Sequence, residues 1–343
     1  MSFEEFAESP RVAEAAAALS RAFVAEQAQD FRSLSERFGA EAEVVAEGDY
    51  EVSDYELGRG LIDATLAQPV MLGAGVVRGP EGDTPVALLN ERIVAEPEGV
   101  KVGETLEVGF GERLRPLRET GVGHDFLARW SDGLPSDVEP AALIVPEPEP
   151  QFQPGEKIIQ GARFGTVGCR VISREGEPGV TTAGHVVTGV GALARSGPKG
   201  ILGRVTYCSD PARVPLAAAV ADIAVIVPTN RARPGPPSGG LLVSRAAPAQ
   251  AGDLFTSYGV VSGPQHMQCA GLMNPLFIPS MAGMWGSVYM TTEGLTRSGD
   301  SGGMVLSGAG ELTGHVVGGS GSFTSWVQDA TFQLAQAGAQ LAP

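Results

Sequence analysis

The stretch Pro146-Glu147-Pro148-Glu149-Pro150-Gln151-Phe152-Gln153-Pro154 constrains the fold more than any other part of the chain. Each proline fixes φ and lacks the N–H that a helix interior or a central strand needs, so these residues read as an extended, semi-rigid linker. Composition changes across it. Residues 1–150 carry 30 acidic and 12 basic side chains, residues 151–343 carry 10 and 12, and the net charge of −16 therefore lies on the N-terminal side. A length of 343 residues, 43% of them apolar, suits two units with cores of their own. The expected organisation is an acidic α+β module over 1–145, a Pro/Glu linker over 146–154 and a second domain over 155–343.

In the first unit, Ser9 and Pro10 form a helix start, with serine as cap and proline in the first turn. Val12, Ala16, Leu19, Phe23, Phe31, Leu34 and Phe38 follow near helical spacing as a packing face, and Gly39 closes the run. Short strand-like runs come next at Val70–Val77, Val86–Leu89, Ile93–Ala95 and Leu106–Phe110, separated by turn residues. No motif there carries chemistry. The expected role of 1–145 is to regulate or target the second domain, with a regulatory protein as the partner that docks on it.

Several function classes are excluded by composition. A chain this acidic lacks the basic face that nucleic acid requires. No apolar run reaches 18 residues, so no membrane span is expected, and the acidic start Met1-Ser2-Phe3-Glu4-Glu5 is not a secretory signal. Cys169, Cys208 and Cys269 are odd in number and widely spaced, which suits a reducing, cytoplasmic compartment. His124, His266 and His315 show no metal-ligand spacing; the expectation is no metal and no cofactor.

Beyond the linker the pattern becomes many short strands with glycine and proline turns, which suits a mainly β fold of two Greek-key barrels, and a helix is expected from about Asp329 to Leu341. Within it, Gly299-Asp300-Ser301-Gly302-Gly303 reads as a nucleophile loop. Flanking glycines permit a tight turn, and the N–H groups of Gly299 and Ser301 can face an oxygen that gains charge during acyl transfer. Upstream, Thr182-Ala183-Gly184-His185 ends a strand-like run and supplies a base, since a serine hydroxyl needs one to remove its proton. Asp222 leads the apolar run Ile223–Ile226 and supplies a partly dry carboxylate to orient that base, with Asp210 and Asp253 as rivals. The order is His185, Asp222, Ser301, with gaps of 37 and 79 residues.

These three motifs in this order resemble the chymotrypsin-like (trypsin-like) serine peptidases, nearest the compact bacterial branch that includes alpha-lytic protease and the streptogrisins. The resemblance covers about residues 155–343 and includes the closing segment from Leu312 to Leu341. It implies a double β-barrel with a C-terminal helix and an endopeptidase acting through an acyl-enzyme on peptide or protein substrates. Catalytic roles fall on His185, Asp222 and Ser301, the oxyanion hole on Gly299 and Ser301, and loop support on Asp300, paired beneath the loop with a cation.

The resemblance also places a substrate pocket at Leu295, Thr296, Ser298, Val316, Val317, Gly318 and Gly319, with Leu295, six residues before the nucleophile, at its base. An apolar base implies small to medium apolar residues before the cut bond rather than Lys or Arg. Residues 1–145 weakly resemble the module preceding some intracellular bacterial trypsin-like domains. Three departures stand out. Val186 takes the place of a disulfide cysteine beside the base. Val316-Val317-Gly318-Gly319 lacks a hydroxyl that supports the catalytic acid. Lys157-Ile158-Ile159-Gln160-Gly161 reads either as an activation junction or as a first barrel strand. His315 enters the pocket, favouring glutamate, if the register slips by one. Two other readings stay open: a catalytically silent pseudo-protease that binds or acts as an effector, and a self-processing peptidase with a cleaved N-terminal prosegment.

Overall fold

The computed structural model describes residues 2–26, 71–79, 82–90, 114–130, 133–145, 157–160, 163–196, 200–214, 218–229, 243–281 and 283–342. The linker 146–154, the apolar positions Phe31, Leu34 and Phe38, and the runs Ile93–Ala95 and Leu106–Phe110 lie outside the described residues.

Past the linker the fold is mainly β. Strands Arg170–Ile172, Pro178–Thr182, Ile223–Pro228, Gly200–Ser209, Leu193–Ser196, Lys157–Gln160 and Arg163–Thr166 lie side by side in that order, with Gln340–Leu341 at the other edge, in an eight-stranded antiparallel sheet. Val180, Val186, Val205, Ala224 and Ile226 pack its core. Ile223–Pro228 lies in the middle of this sheet, which draws Asp222 at its start out of water. Ile158 pairs within the sheet, opposite Gly165 and Ser196, which suits the strand reading of this segment.

The second half closes on itself. Leu254–Gly259, Met304–Ser307, Leu312–Ser320, Thr324–Asp329, Val288–Thr291 and Gly263–Ile278 pair in turn, and Gly263–Ile278 pairs back to Leu254–Gly259. The result is a six-stranded antiparallel barrel filled by Phe255, Leu272, Tyr289, Val305, Val316 and Val327. Helix Ala330–Ala337 follows, shorter than the sequence expectation at both ends. Asp329 caps it by accepting from the backbone N–H of Thr331 and Phe332, and Gly338 ends it in the left-handed region at φ 62°. The chain then returns to the first sheet through Gln340–Leu341.

The N-terminal residues are where the expected organisation needs correction. Met71–Gly79 pairs with Gly263–Ile278 of the barrel, Gly75 opposite Met273 and Val77 opposite Gly271. Gly82–Asn90, Ala141–Val145 and Leu114–Pro116 extend the same sheet outward to 11 strands. Residues 10–26 are helical, and Phe3, Phe6, Val12, Ala13 and Ala16 share a core with Phe255, Leu272 and Tyr289 of the barrel. Further along the helix, Leu19 and Phe23 pack on Met71, Leu89, Phe277 and Met284. The described part of 1–145 is thus built onto the second barrel rather than folded apart from it. The physical reason is visible in Met71–Gly79, whose first seven residues are buried without alternation. A strand buried on both faces belongs inside a layered structure, not on a small open sheet.

Candidate active site

His185 sits on a short turn, Gly184–Val186, just beyond the strand Pro178–Thr182. The turn must be bare at Gly184, because a Cβ there would lie 1.8 Å from the carbonyl oxygen of Ser209 and 3.2 Å from Asp222 Oδ1. Asp222 reaches the histidine twice. Oδ1 accepts from the His185 backbone N–H at 2.9 Å, and Oδ2 lies 2.6 Å from the ring Nδ1. Both residues are buried. A carboxylate that accepts from Nδ1–H leaves Nε2 as the basic ring nitrogen. The rival acids do other work: Asp210 caps Ala212 N at 3.0 Å and pairs with Arg213, while Asp253 accepts from Gln250 N at 2.8 Å. Burial and the nearby charge of Asp222 hold the Asp210 carboxyl above its usual range.

The loop bearing Ser301 needs its glycines, with φ 104° at Gly299 and 88° at Gly302. It is fastened to strand Leu312–Ser320 by Gly302 N donating to Val316 O at 2.8 Å and Val316 N donating to Gly303 O at 3.0 Å. Thr166 fastens it to the first sheet. Its N–H donates to Ser301 O at 2.8 Å, its hydroxyl donates to Gly299 O at 2.7 Å, and its own carbonyl accepts from Thr182 Oγ1 at 2.8 Å. A Cβ on Gly302 would lie 2.6 Å from Thr182 Oγ1 and 2.8 Å from Ala183 N. The serine loop of one sheet therefore rests on the segment of the other that leads into His185.

Asp300 is fully buried beneath this loop, but its partners differ from those the resemblance implies. Oδ1 accepts from the backbone N–H of Val261 at 2.9 Å and of Ser262 at 3.2 Å, and Oδ2 accepts from Arg297 N at 2.8 Å. Among the described residues, main-chain amides rather than a side-chain cation hold this carboxylate.

The expected pocket residues separate. Thr296 is buried and donates from Oγ1 to Ser325 Oγ at 2.8 Å, while Leu295 N donates to the same hydroxyl at 3.2 Å. The Leu295 side chain is half-buried and packs against the barrel core that contains Phe255 and Tyr289. Val316 and Val317 are buried in two different core clusters, Gly318 pairs with Trp326, Gly319 pairs with Ser325, and Ser298 is half-buried. Ser325, which no sequence signal marked, lies at the centre of this group.

His315 is buried and linked elsewhere, with Nε2 2.9 Å from Thr181 Oγ1 and Nδ1 2.7 Å from Gln333 Oε1. Burial lowers its pKa to about 4. An unfolded histidine titrates near about 6.5, so the unfolded chain binds more protons between the two values and stability falls as pH drops through that window. The expected loss is about 3 kcal/mol by the lower limit. Urea midpoints at pH 7 and pH 4.5 check it: His315→Gln is expected to flatten this part of the pH dependence. An identical slope in both proteins would refute it. His124 and His266 are exposed. Among the described residues no group of three metal-ligating side chains converges, none of the three cysteines is in a disulfide, and no helix is long and apolar enough to cross a membrane.

Three residues that sequence reasoning missed surround Asp222. Trp285 Nε1 donates to Oδ2 at 2.9 Å, Asp222 N donates to Gln328 Oε1 at 2.7 Å, and Gln333 Nε2 donates to Asp222 O at 2.9 Å. All three come from the second half of the chain, far from Asp222 in sequence, and carry no local signature.

The two sheets, the helix that follows them and the junction between them define the architecture. The described residues past the linker, a six-stranded antiparallel barrel, a second antiparallel sheet and a C-terminal helix, have the arrangement typical of a chymotrypsin-like fold. Among solved structures, this chain is similar to the Nocardiopsis protease NAPase, at 24% identity and a TM-score of 0.46 over 56% of this chain and 100% of that one. It is similar to Thermobifida fusca protease A at 22% identity and 0.45, over 55% and 96%. A glutamic acid-specific serine protease described as using a histidine triad in substrate binding matches at 20% identity and 0.44, over 55% and 98%. No family model and no curated protein matches the chain.

Proposed function

We propose that this chain is a serine endopeptidase that hydrolyses peptide bonds through an acyl-enzyme. The observation that carries the reading is the 2.6 Å approach of Asp222 Oδ2 to His185 Nδ1, in a site where the Ser301 loop rests on Thr182 and Ala183. In the proposed mechanism the Ser301 hydroxyl attacks the substrate carbonyl carbon and its proton passes to His185 Nε2. Asp222 stabilises the imidazolium, and the N–H groups of Gly299 and Ser301 face the oxyanion. The imidazolium then protonates the leaving amine. Water, deprotonated by the same imidazole, hydrolyses the acyl-enzyme.

Specificity in this reading is for an uncharged residue of small to medium size before the cut bond. Leu295, Gly318 and Gly319 bring an apolar side chain and bare backbone but no carboxylate to the expected pocket, and burying an unpaired Lys or Arg is costly. A peptide-library cleavage profile of the full chain tests both statements. Cuts after small or medium apolar residues are expected. A profile dominated by Lys or Arg would overturn the specificity, and no cutting of any sequence by folded protein would overturn the peptidase reading.

A further inference from the structure

Trp285 ends the short strand Gly283–Trp285 and is fully buried. Its indole N–H donates at 2.9 Å to Asp222 Oδ2, the oxygen that also faces His185 Nδ1. With Oδ1 taken by the His185 backbone N–H, the carboxylate has donors on both oxygens and little freedom to rotate. The strand that carries Trp285 is itself tied to the chain next to Asp222: Val220 N donates to Met284 O at 3.1 Å, and Gly286 N donates to Val220 O at 3.2 Å. Val317 and its neighbours bring no hydroxyl to this carboxylate from their own side chains.

We propose that Trp285 is a positioning residue for the catalytic acid: its N–H holds Asp222 Oδ2 against the imidazole and shares the negative charge that His185 feels. The inference rests on the peptidase reading for its effect on turnover, but not for its effect on His185. It also gives the N-terminal strands a part in the site. Trp285 pairs with Leu276, which pairs with Gly73, and the indole packs in one cluster with Leu72, Val77, Leu88 and Leu143. Residues from both sides of the linker thus hold the ring that holds the acid.

Removing the N–H while keeping an aromatic ring leaves more of the charge on Oδ2 for the imidazolium. His185 should then keep its proton to higher pH, and a freer carboxylate should orient the base less well. The other titratable or charged groups around the pair are Asp210 with Arg213, Cys208 beside Gly184, and His315 on the far side of Asp222. None of them is altered by the change.

The test uses the full chain and Trp285→Phe. Proton NMR follows the His185 Nδ1–H and, in the unaltered protein, the Trp285 indole N–H among the three tryptophans. The indole resonance is expected to move with the same midpoint as His185. In Trp285→Phe the His185 midpoint should rise, the acidic limb of kcat/KM should shift to higher pH with it, and kcat should fall about tenfold with KM little changed. A purely structural role would lower the yield of folded protein without moving the midpoint. An indole resonance indifferent to His185, or an unchanged midpoint in the variant, overturns the proposal. If Trp285→Phe does not fold, the indole titration in the unaltered protein decides. If that titration is coupled but no peptide is hydrolysed, the positioning contact stands and the peptidase reading falls.

Discussion

Ser301→Ala is expected to lower peptide hydrolysis by roughly 10⁴–10⁶-fold, leaving only the residual rate that an oxyanion hole and substrate binding provide. The fold should not change, because the loop is held by groups other than the serine hydroxyl. Gly302 N and Gly303 O bond to Val316, Thr166 holds the carbonyls of Ser301 and Gly299, and Asp300 gathers three backbone amides beneath them. Deleting one hydroxyl oxygen from a buried site leaves these intact. A fluorophosphonate probe supplies the second readout: it should label Ser301 in the unaltered chain and leave Ser301→Ala unlabelled. Turnover retained in the variant would sink the nucleophile assignment. A folded, unaltered chain that neither reacts with the probe nor cuts any peptide would instead favour a silent binding module.

The candidate site was legible wherever the chemistry is local. A GDSGG loop needs positive φ on either side of its serine, and Gly299 and Gly302 have it. The glycine before His185 is needed because Ser209 O and Asp222 approach it. What could not be read were partners distant in sequence. Trp285, Gln328 and Gln333 are 63, 106 and 111 residues from Asp222, and an indole or an amide on a buried strand or helix announces nothing about what it will face. His315 illustrates the same limit: its lack of metal-ligand spacing suited a structural histidine, but its partners Thr181 and Gln333 could not be read from the sequence. In the N-terminal half, the spacing of Val12, Ala16, Leu19 and Phe23 revealed an apolar helix face. Periodicity reports that such a face exists, not which surface covers it. The charge step and the proline run marked a break in composition, but strand pairing between Met71–Gly79 and Gly263–Ile278 joins the two sides.

That joining leads to the second large expected effect. A fragment beginning at Gln153 should fail to form the cooperative, monomeric fold of the full chain. It would lose Phe3, Phe6, Leu19, Phe23, Leu72, Val76 and Leu88, all buried, several of them against barrel residues. Burial of one such side chain stabilises by about 1.5–3 kcal/mol, so losing even a few approaches the whole stability of a domain, about 5–15 kcal/mol. The truncation would also uncover Leu276, Phe277, Met284 and Trp285, and would strip Gly263–Ile278 of its partner from Gly271 to Leu276. An apolar face beside an unpaired strand edge is a template for aggregation. Size-exclusion chromatography and urea unfolding of the fragment against the full chain measure this directly. Aggregates or a non-cooperative transition are expected, with recovery when residues 1–150 are supplied as a separate polypeptide. A soluble fragment that unfolds in one step at the midpoint of the full chain would show that the N-terminal residues are a detachable module after all. It would also leave Trp285 in place without the packing assigned to Leu72, Val77, Leu88 and Leu143.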